Sequence, residues 1–139
     1  MQTYGWKMVK IIHCAGKRKS AIAKATLKPG KGIVRINNQL IDNYEPKLAR
    51  LRMQEPLILA GDVANGIDIT IRVGGGGCAA QAEAVRLAIA RALVQSNKKL
   101  EKVFLNYDRH LLVADIRRKE TRKPNRHGKA RAKRQKSYR

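Results

Sequence analysis

Residues 67–73 alternate apolar and polar side chains without a break, with Ile67, Ile69, Ile71 and Val73 on one side and Asp68, Thr70 and Arg72 on the other. A sustained period of two predicts a strand with one buried and one wet face. Shorter apolar runs at 9–14, 20–27, 33–36 and 39–41 predict further strands. Pro29, Gly30 and Gly32 mark a turn over 28–32 that would return 33–36 as the partner of 20–27, and Asn37-Asn38 marks a second turn. Residues 45–52 predict a helix with Pro46 in its first turn, and Pro56 would separate it from the apolar run 57–59 leading to Gly61. After the strand at 67–73 come four glycines, 74–77, and then a long helix over 79–95. Ala80, Ala84, Leu87, Ala88 and Leu93 keep helical spacing on its apolar side, with Arg86 and Arg91 on the polar side. Residues 98–102 read as a polar bridge and 107–114 as a short helix. Strands, helix, strand, helix in that order predict a two-layer α/β sandwich with one mostly antiparallel sheet.

Composition bounds this picture. Of 139 residues 43% are hydrophobic, with one Phe, one Trp and four Tyr, so a single modest core must come from Ile, Val, Leu and Ala. Charge changes the picture more. Lys and Arg number 31 against 10 acids, a formal +21. Self-repulsion on that scale implies a polyanionic partner, with nucleic acid ahead of an anionic membrane surface, since no basic amphipathic helix with large apolar anchors is present. No run of 18 apolar residues exists and no apolar segment follows the first residues, so the chain is expected neither to span a membrane nor to be exported.

The cations are unevenly spread. Residues 117–139 hold twelve Lys or Arg and one acid, Glu120, a net +11, and no Val, Ile, Leu, Met or Phe. Such a stretch cannot bury enough apolar surface to offset its ordering entropy. The expected division is therefore a globular RNA-binding domain over 1–116 and an extended basic tail over 117–139. In the tail, Arg117, Arg118, Arg122, Lys123, Arg126, Lys129, Arg131, Lys133 and Arg134 are candidate contacts to RNA phosphates.

Two sites in the domain carry candidate chemistry. Lys17, Arg18 and Lys19 are consecutive cations beside a strand, read as phosphate contacts rather than solvation alone. The glycine run, with Gly75, Gly76 and Gly77 before a helix N-terminus, could cradle an RNA phosphate or merely connect. Gly74, Gly76 and Ala79 formally fit a dinucleotide fingerprint, but the acid expected about 20 residues on is missing, and no Gly-Lys-Ser/Thr supplies a phosphate-binding loop. Arg86 on the long helix is a further candidate contact. Catalysis has little support: Ser20 has no evident base, Asp42, Asp62 and Asp68 form no pair, and His13 reads as a strand residue. Cys14 and Cys78 read as small buried thiols of a reducing cytosol rather than a disulfide. Without C-x-x-C, and with His13, His110 and His127 sharing no ligand spacing, neither a metal nor a cofactor is expected.

These fragments resemble a known family. Gly16-Lys17-Arg18-Lys19-Ser20-Ala21-Ile22-Ala23 is similar to the opening signature of the ninth ribosomal protein family of the small subunit. Gly75-Gly76-Gly77, the helix segment 81–93, Asp115-Ile116-Arg117-Arg118 and the ending Gln135-Lys136-Ser137-Tyr138-Arg139 match as well, so the resemblance spans about 9–139. Lys123-Pro124-Asn125-Arg126 and the Ser-Tyr-Arg ending look archaeal or eukaryotic rather than bacterial, with archaeal favoured. The resemblance implies the fold of the second domain of ribosomal protein five, with a left-handed crossover that the general right-handed rule would not predict. It also implies a structural, non-enzymatic role in translation in the cytoplasm, bound to ribosomal RNA in the head of the small subunit beside neighbouring head proteins. The tail's last residues, Lys136, Ser137, Tyr138 and Arg139, would reach the anticodon stem-loop of peptidyl-site transfer RNA. Two other classes stand beside this reading. One is a free nucleic-acid binder, which high salt would wash off small subunits. The other is a small-molecule kinase with a glycine-rich loop, which needs a second domain that 139 residues do not supply.

Overall fold

The computed structural model describes residues 11–131, and Lys133, Arg134, Lys136, Ser137, Tyr138, Arg139 and the start of the expected strand at 9–14 lie outside that range. Within it, β1 (Ile12–Arg18), β2 (Ala21–Pro29), β3 (Val34–Ile36), β4 (Gln39–Leu40) and β5 (Ile67–Gly74) form one sheet in the order β1-β2-β5-β3-β4. Every neighbouring pair is antiparallel except β3 with β5, which is parallel. The helices are α1 (Lys47–Ala60), the short α2 (Asp62–Asn65), α3 (Cys78–Ser96) and α4 (Leu100–Tyr107).

The alternation read in the sequence sets the two faces. Ala21, Ala23, Ala25 and Leu27 of β2 and Ile67, Ile69, Ile71 and Val73 of β5 are buried, as are Val34 and Ile36. Lys24, Lys28, Thr70, Arg72 and Arg35 point the other way and are exposed. Helices therefore cover one face of the sheet. α3 packs across β1 and β2, and against α1. Its turns are buried almost all round, including Ala82, Val85, Leu87, Ile89, Ala90, Ala92 and Leu93. The chain's lone Phe, Phe104, is fully buried with Met53 and Leu111.

Small residues bring β1 and α3 close together. Gly16 lies under α3 at Ala84 and Ala88, beside Ala23 on the neighbouring strand. A Cβ on Gly16 would sit 2.1 Å from the Ala84 carbonyl oxygen and 2.8 Å from the Ala88 nitrogen. Strand and helix backbones are thus in direct contact, which a side chain would prevent.

The fold departs from the local sequence pattern at several points. The expected first strand runs on through Lys17 and Arg18, which belong to β1, and only Lys19 and Ser20 form the hairpin turn, with Lys19 at φ +53°. The segment 33–36 does not pair with β2. The Asp68 carboxylate accepts hydrogen bonds from the N–H groups of Lys31 (2.8 Å) and Ile33 (2.9 Å), carrying the chain past the start of β5 so that β3 docks on β5's far edge. The first helix continues through Pro56 to Ala60. Pro56 forfeits one backbone bond, yet it falls on the buried stripe Ala49, Met53, Pro56, Ala60, whose burial favours an unbroken helix. The polar bridge at 98–102 contains the start of α4, because Leu100 and Phe104 share one buried face. The expected helix at 107–114 reduces to a 3-10 turn, Arg109–Leu111, capped by the Asp108 carboxylate accepting from the His110 N–H at 2.9 Å. The Asn37-Asn38 turn is present, both residues having positive φ, and the Asn37 side chain exchanges two 3.0 Å hydrogen bonds with the Val73 backbone.

Candidate nucleic-acid interface

The β1–β2 turn, the first turn of α3 and the root of the tail meet at one end of the domain around a groove of about 340 Å³. Gly75 and Gly76 take φ of +77° and +64° and lie against that turn. A Cβ on Gly75 would come within 2.6 Å of the Ser20 carbonyl oxygen, and one on Gly76 within 3.1 Å of the Ala21 nitrogen. These two glycines are therefore needed for packing as well as for any contact to a ligand, whereas a Cβ on Gly77 would meet open space. Beyond them, the first helical bond runs from the Gln81 N–H to the Gly77 carbonyl at 2.9 Å, and no side chain caps α3. The N–H groups of Cys78, Ala79 and Ala80 precede that bond at the positive end of the helix dipole.

The cations of the groove divide into two sets. Arg86 is 8% exposed, and its guanidinium donates to Glu55 at 2.6 Å and to Asp108 at 2.9 Å, with Glu83 at 3.9 Å. Burial would lower its pKa, but those carboxylates raise it above the ordinary value. Arg86 was expected among the RNA contacts; its charge is instead taken up inside the protein, where it joins α1, α3 and the turn after α4. Arg91, expected on a polar face, likewise donates to the carbonyls of Leu112 (3.1 Å) and Ala15 (2.9 Å). Arg18 lies 3.3 Å from the Asp115 carboxylate and donates to the Arg117 carbonyl. Arg117 grips the same carboxylate at 2.6 Å, and this pair fixes the root of the tail.

The second set has no such partner. Among the described residues no carboxylate lies within ion-pair distance of Lys17, Lys19, Arg118 or Lys119. Lys19, Ser20, Arg118 and Lys119 line a second hollow beside the groove. Lys119 was missed in the sequence; its neighbourhood with Lys19 depends on the Arg18–Asp115 contact across nearly a hundred residues. Farther out, Arg122, Lys123, Arg126 and Lys129 are exposed. The tail is not simply extended there. The Lys123 N–H donates to the Lys129 carbonyl at 3.0 Å, Asn125 has φ +57°, and Arg131 pairs with Glu120 at 3.0 Å, which closes a loop of basic residues. With side chains 80% and 54% exposed, that ion pair is worth at most about 1 kcal/mol.

Four carboxylates share a pH signature, Glu120 among them through its exposed pair with Arg131. Hydrogen bonds from Arg117 hold Asp115 far below the usual range, and the N–H groups of Ile33 and Lys31 lower Asp68. Burial pushes Asp108 up, but the His110 N–H and Arg86 outweigh it and leave it lowered. A carboxyl whose folded pKa is depressed contributes stability above its unfolded pKa, and loses it as pH falls through the folded one. The melting temperature is therefore expected to stay level from about pH 7 to about pH 5 and to fall below about pH 4, by circular dichroism. A decline that begins above pH 6 would assign the loss to other groups.

Among the described residues, no group of three or more His, Cys, Asp or Glu side chains is placed to hold a metal ion, and no helix is long and apolar enough to cross a membrane. Cys14 and Cys78 are free; Cys14 is half-buried with its thiol donating to Gln95, while Cys78, expected buried, is exposed at the start of α3.

A family model described as ribosomal protein S9/S16 matches residues 16–139, which takes in both the β1–β2 turn and the whole tail. The chain belongs to the ribosomal protein S9/S16 family. It is 48% identical over 134 residues to the small ribosomal subunit protein uS9 of Methanococcus maripaludis strain C7, covering 94% of this chain and 100% of the relative. The proteins of the same name from strains C5 and S2 match to the same extent. Members of this family are structural, non-enzymatic ribosomal proteins, and the identity to Methanococcus relatives over most of the chain makes it one of the archaeal type.

Proposed function

We propose that this chain is a structural constituent of the small ribosomal subunit that binds ribosomal RNA in the subunit head and reaches peptidyl-site transfer RNA with its C-terminal tail. The observation that carries the reading is the division of cations just described. The acids near the groove are consumed by Arg18, Arg52, Arg86 and Arg117, which leaves Lys17, Lys19, Arg118 and Lys119 turned outward beside the glycine loop. Gly75, Gly76, Gly77 and the free N–H groups of α3 can approach a phosphate from the same side. Domain 1–116 supplies this platform, with the second-domain fold of ribosomal protein five and its left-handed crossover, and tail 117–139 continues the RNA contact through Arg122, Lys123, Arg126, Lys129, Arg131, Lys133 and Arg134. Neighbouring head proteins share the site, and the protein acts in the cytoplasm.

The tail's end suits a different target from its middle. Arg139 offers a planar fork for two phosphate oxygens, Lys136 a point charge, Ser137 a hydroxyl and Tyr138 a ring that can stack. Drawn out at about 3.3 Å per residue, 23 residues reach roughly 75 Å. The closed loop at 120–131 shortens this reach, but opening its exposed ion pair costs less than one charge-assisted phosphate contact returns.

Small subunits assembled with a chain lacking residues 136–139 test the reading. They are expected to form in normal yield and to bind transfer RNA in the peptidyl site roughly fivefold to thirtyfold more weakly, the equivalent of about 1–2 kcal/mol. A chain lacking 117–139 is expected to lose incorporation in competition with the intact chain. Unchanged transfer RNA affinity for the shorter deletion would refute the contact, and undiminished incorporation of the longer one would refute the tail's role on ribosomal RNA.

A further inference from the structure

Among the described residues nothing packs on the face of the sheet away from the helices, and that face is cationic. In register across it lie Lys24 opposite Arg72, and His13, Thr26, Thr70 and Arg35 in the next row. Like charges directly opposite on one face of an antiparallel pair are about 5 Å apart at Cβ and destabilise it. Lys24 and Arg72 stand in that relation, with Lys28 and Arg35 farther along the same face. The acid of this face, Asp68, is occupied by the backbone N–H groups of Lys31 and Ile33. Among the described residues, no carboxylate lies within ion-pair distance of Lys24, Lys28, Arg35 or Arg72. A repulsive pair of this kind, set on the open side of the best-formed strands, is relieved by a bound polyanion.

We infer that this open face is a second RNA-binding surface, which meets the groove at the β1–β2 turn where Lys17 lies opposite Ile22, and that it takes the backbone of an RNA double helix. The inference rests on the ribosomal-RNA reading above and adds to it that the domain is held between two RNA elements. The chemistry of the face selects a duplex over a single strand. No Phe, Tyr or Trp of the described strands lies on it, and the ring of His13 is held at the edge strand by Thr26 (3.1 Å), which leaves only the Arg35 and Arg72 guanidinium planes as stacking surfaces for splayed bases. It offers strands spaced about 4.8 Å apart, with cations for phosphates, the Thr70 hydroxyl for a ribose 2′-hydroxyl, and the Thr26 hydroxyl in a 3.1 Å contact with the His13 ring. Exposed Ile22 stands at one end of the face and Leu40 on its edge strand, leaving the centre to Lys24 and Arg72.

The test compares the full-length K24Q/R72Q variant with R118Q/K119Q at the tail root, each binding small-subunit ribosomal RNA over a range of salt. The sheet variant is expected to bind roughly tenfold to a hundredfold more weakly at about 0.1 M salt. Its slope of log affinity against log salt should be smaller by about 1.8. Free in solution at low salt it should melt higher than the parent, because the repulsive pair is gone. An unchanged slope for K24Q/R72Q beside a reduced one for R118Q/K119Q overturns this inference and leaves the ribosomal-RNA reading standing; unchanged slopes for both overturn that reading as well. The occupant is identified in assembled subunits from hydroxyl radicals generated at a Lys24→Cys substitution in a chain that also carries Cys14→Ser and Cys78→Ser, so that position 24 holds the one thiol. Cleavage of both strands of a ribosomal RNA helix is expected. Cleavage confined to single-stranded RNA, or attack on a neighbouring protein alone, overturns the assignment.

Discussion

Replacing Gly16 by valine is expected to abolish the native fold. The first added atom would lie 2.1 Å from the Ala84 carbonyl oxygen, and the obstacle is backbone on both sides, so no rotamer relieves it. α3 would have to lift from β1 and β2, uncovering the alanine seam through which it packs. Overpacking against side chains costs about 1–3 kcal/mol, and a clash between rigid backbones exceeds that range. The cost approaches the whole stability of a small domain, about 5–15 kcal/mol. Gly74→Ala is the matched control: its Cβ meets nothing within 4 Å and its φ is not positive, so its melting temperature should stay within a few degrees of the parent. A cooperative thermal transition for G16V within a few degrees of the parent would mean that the helix rides higher on the sheet than described.

Arg86→Ala is expected to cost about 3 kcal/mol, measured by urea unfolding at pH 7. Removing one partner of a buried ion pair leaves the other charges uncompensated, and that penalty exceeds the net worth of the intact pair. Glu55 and Asp108 keep about a third of their side-chain exposure, which places the figure at the lower end of the range seen for full burial. The loss should shrink as pH falls below about 4 and through the lowered pKa of Asp108, which Arg86 helps to depress. Arg86→Met, which keeps the packing of the stem, should recover part of the stability. The same variants decide what Arg86 does. A cation paired inside the protein gives little to RNA, so the salt dependence of RNA binding should be unaltered. A smaller salt slope would return Arg86 to the RNA contacts; a stability loss below 1 kcal/mol would show the three carboxylates to be solvated.

Local signals were sound where a single element decided the outcome. The unbroken alternation of 67–73, the Asn37-Asn38 turn and the apolar spacing of 79–95 each specify their element without help from the rest of the chain. What was illegible depended on distant partners. The turn over 28–32 has hairpin chemistry, and only the Asp68 carboxylate, 35 or more residues on, sends β3 to another strand. Pro56 is a helix breaker in isolation, and only the buried stripe it shares with Met53 keeps the helix intact. Arg86 looks like a surface cation at helical spacing until Glu55 and Asp108 arrive from two other elements. The candidate interface was legible as composition, in Lys17–Lys19 and the tail, but not as geometry. Which of those cations are spent internally depends on Asp115, an acid that local pattern gives no reason to single out.

The position of β5 in the sheet bears on how the chain is made. The β1–β2 hairpin and the β3–β4 hairpin are complete by Leu40, yet they do not touch; each is paired to β5, which begins at Ile67. Synthesis from the N-terminus therefore delivers two finished hairpins with nothing to join them, one carrying the alanine row that α3 will cover. Some 30 residues later a single strand enters between them, and α3 follows directly behind it to seal the seam. Closure of the domain is long-range and late, which slows folding and leaves unpaired strand edges exposed in the meantime. A nascent chain halted before residue 67 holds more than half of the strand residues and no sheet to put them in.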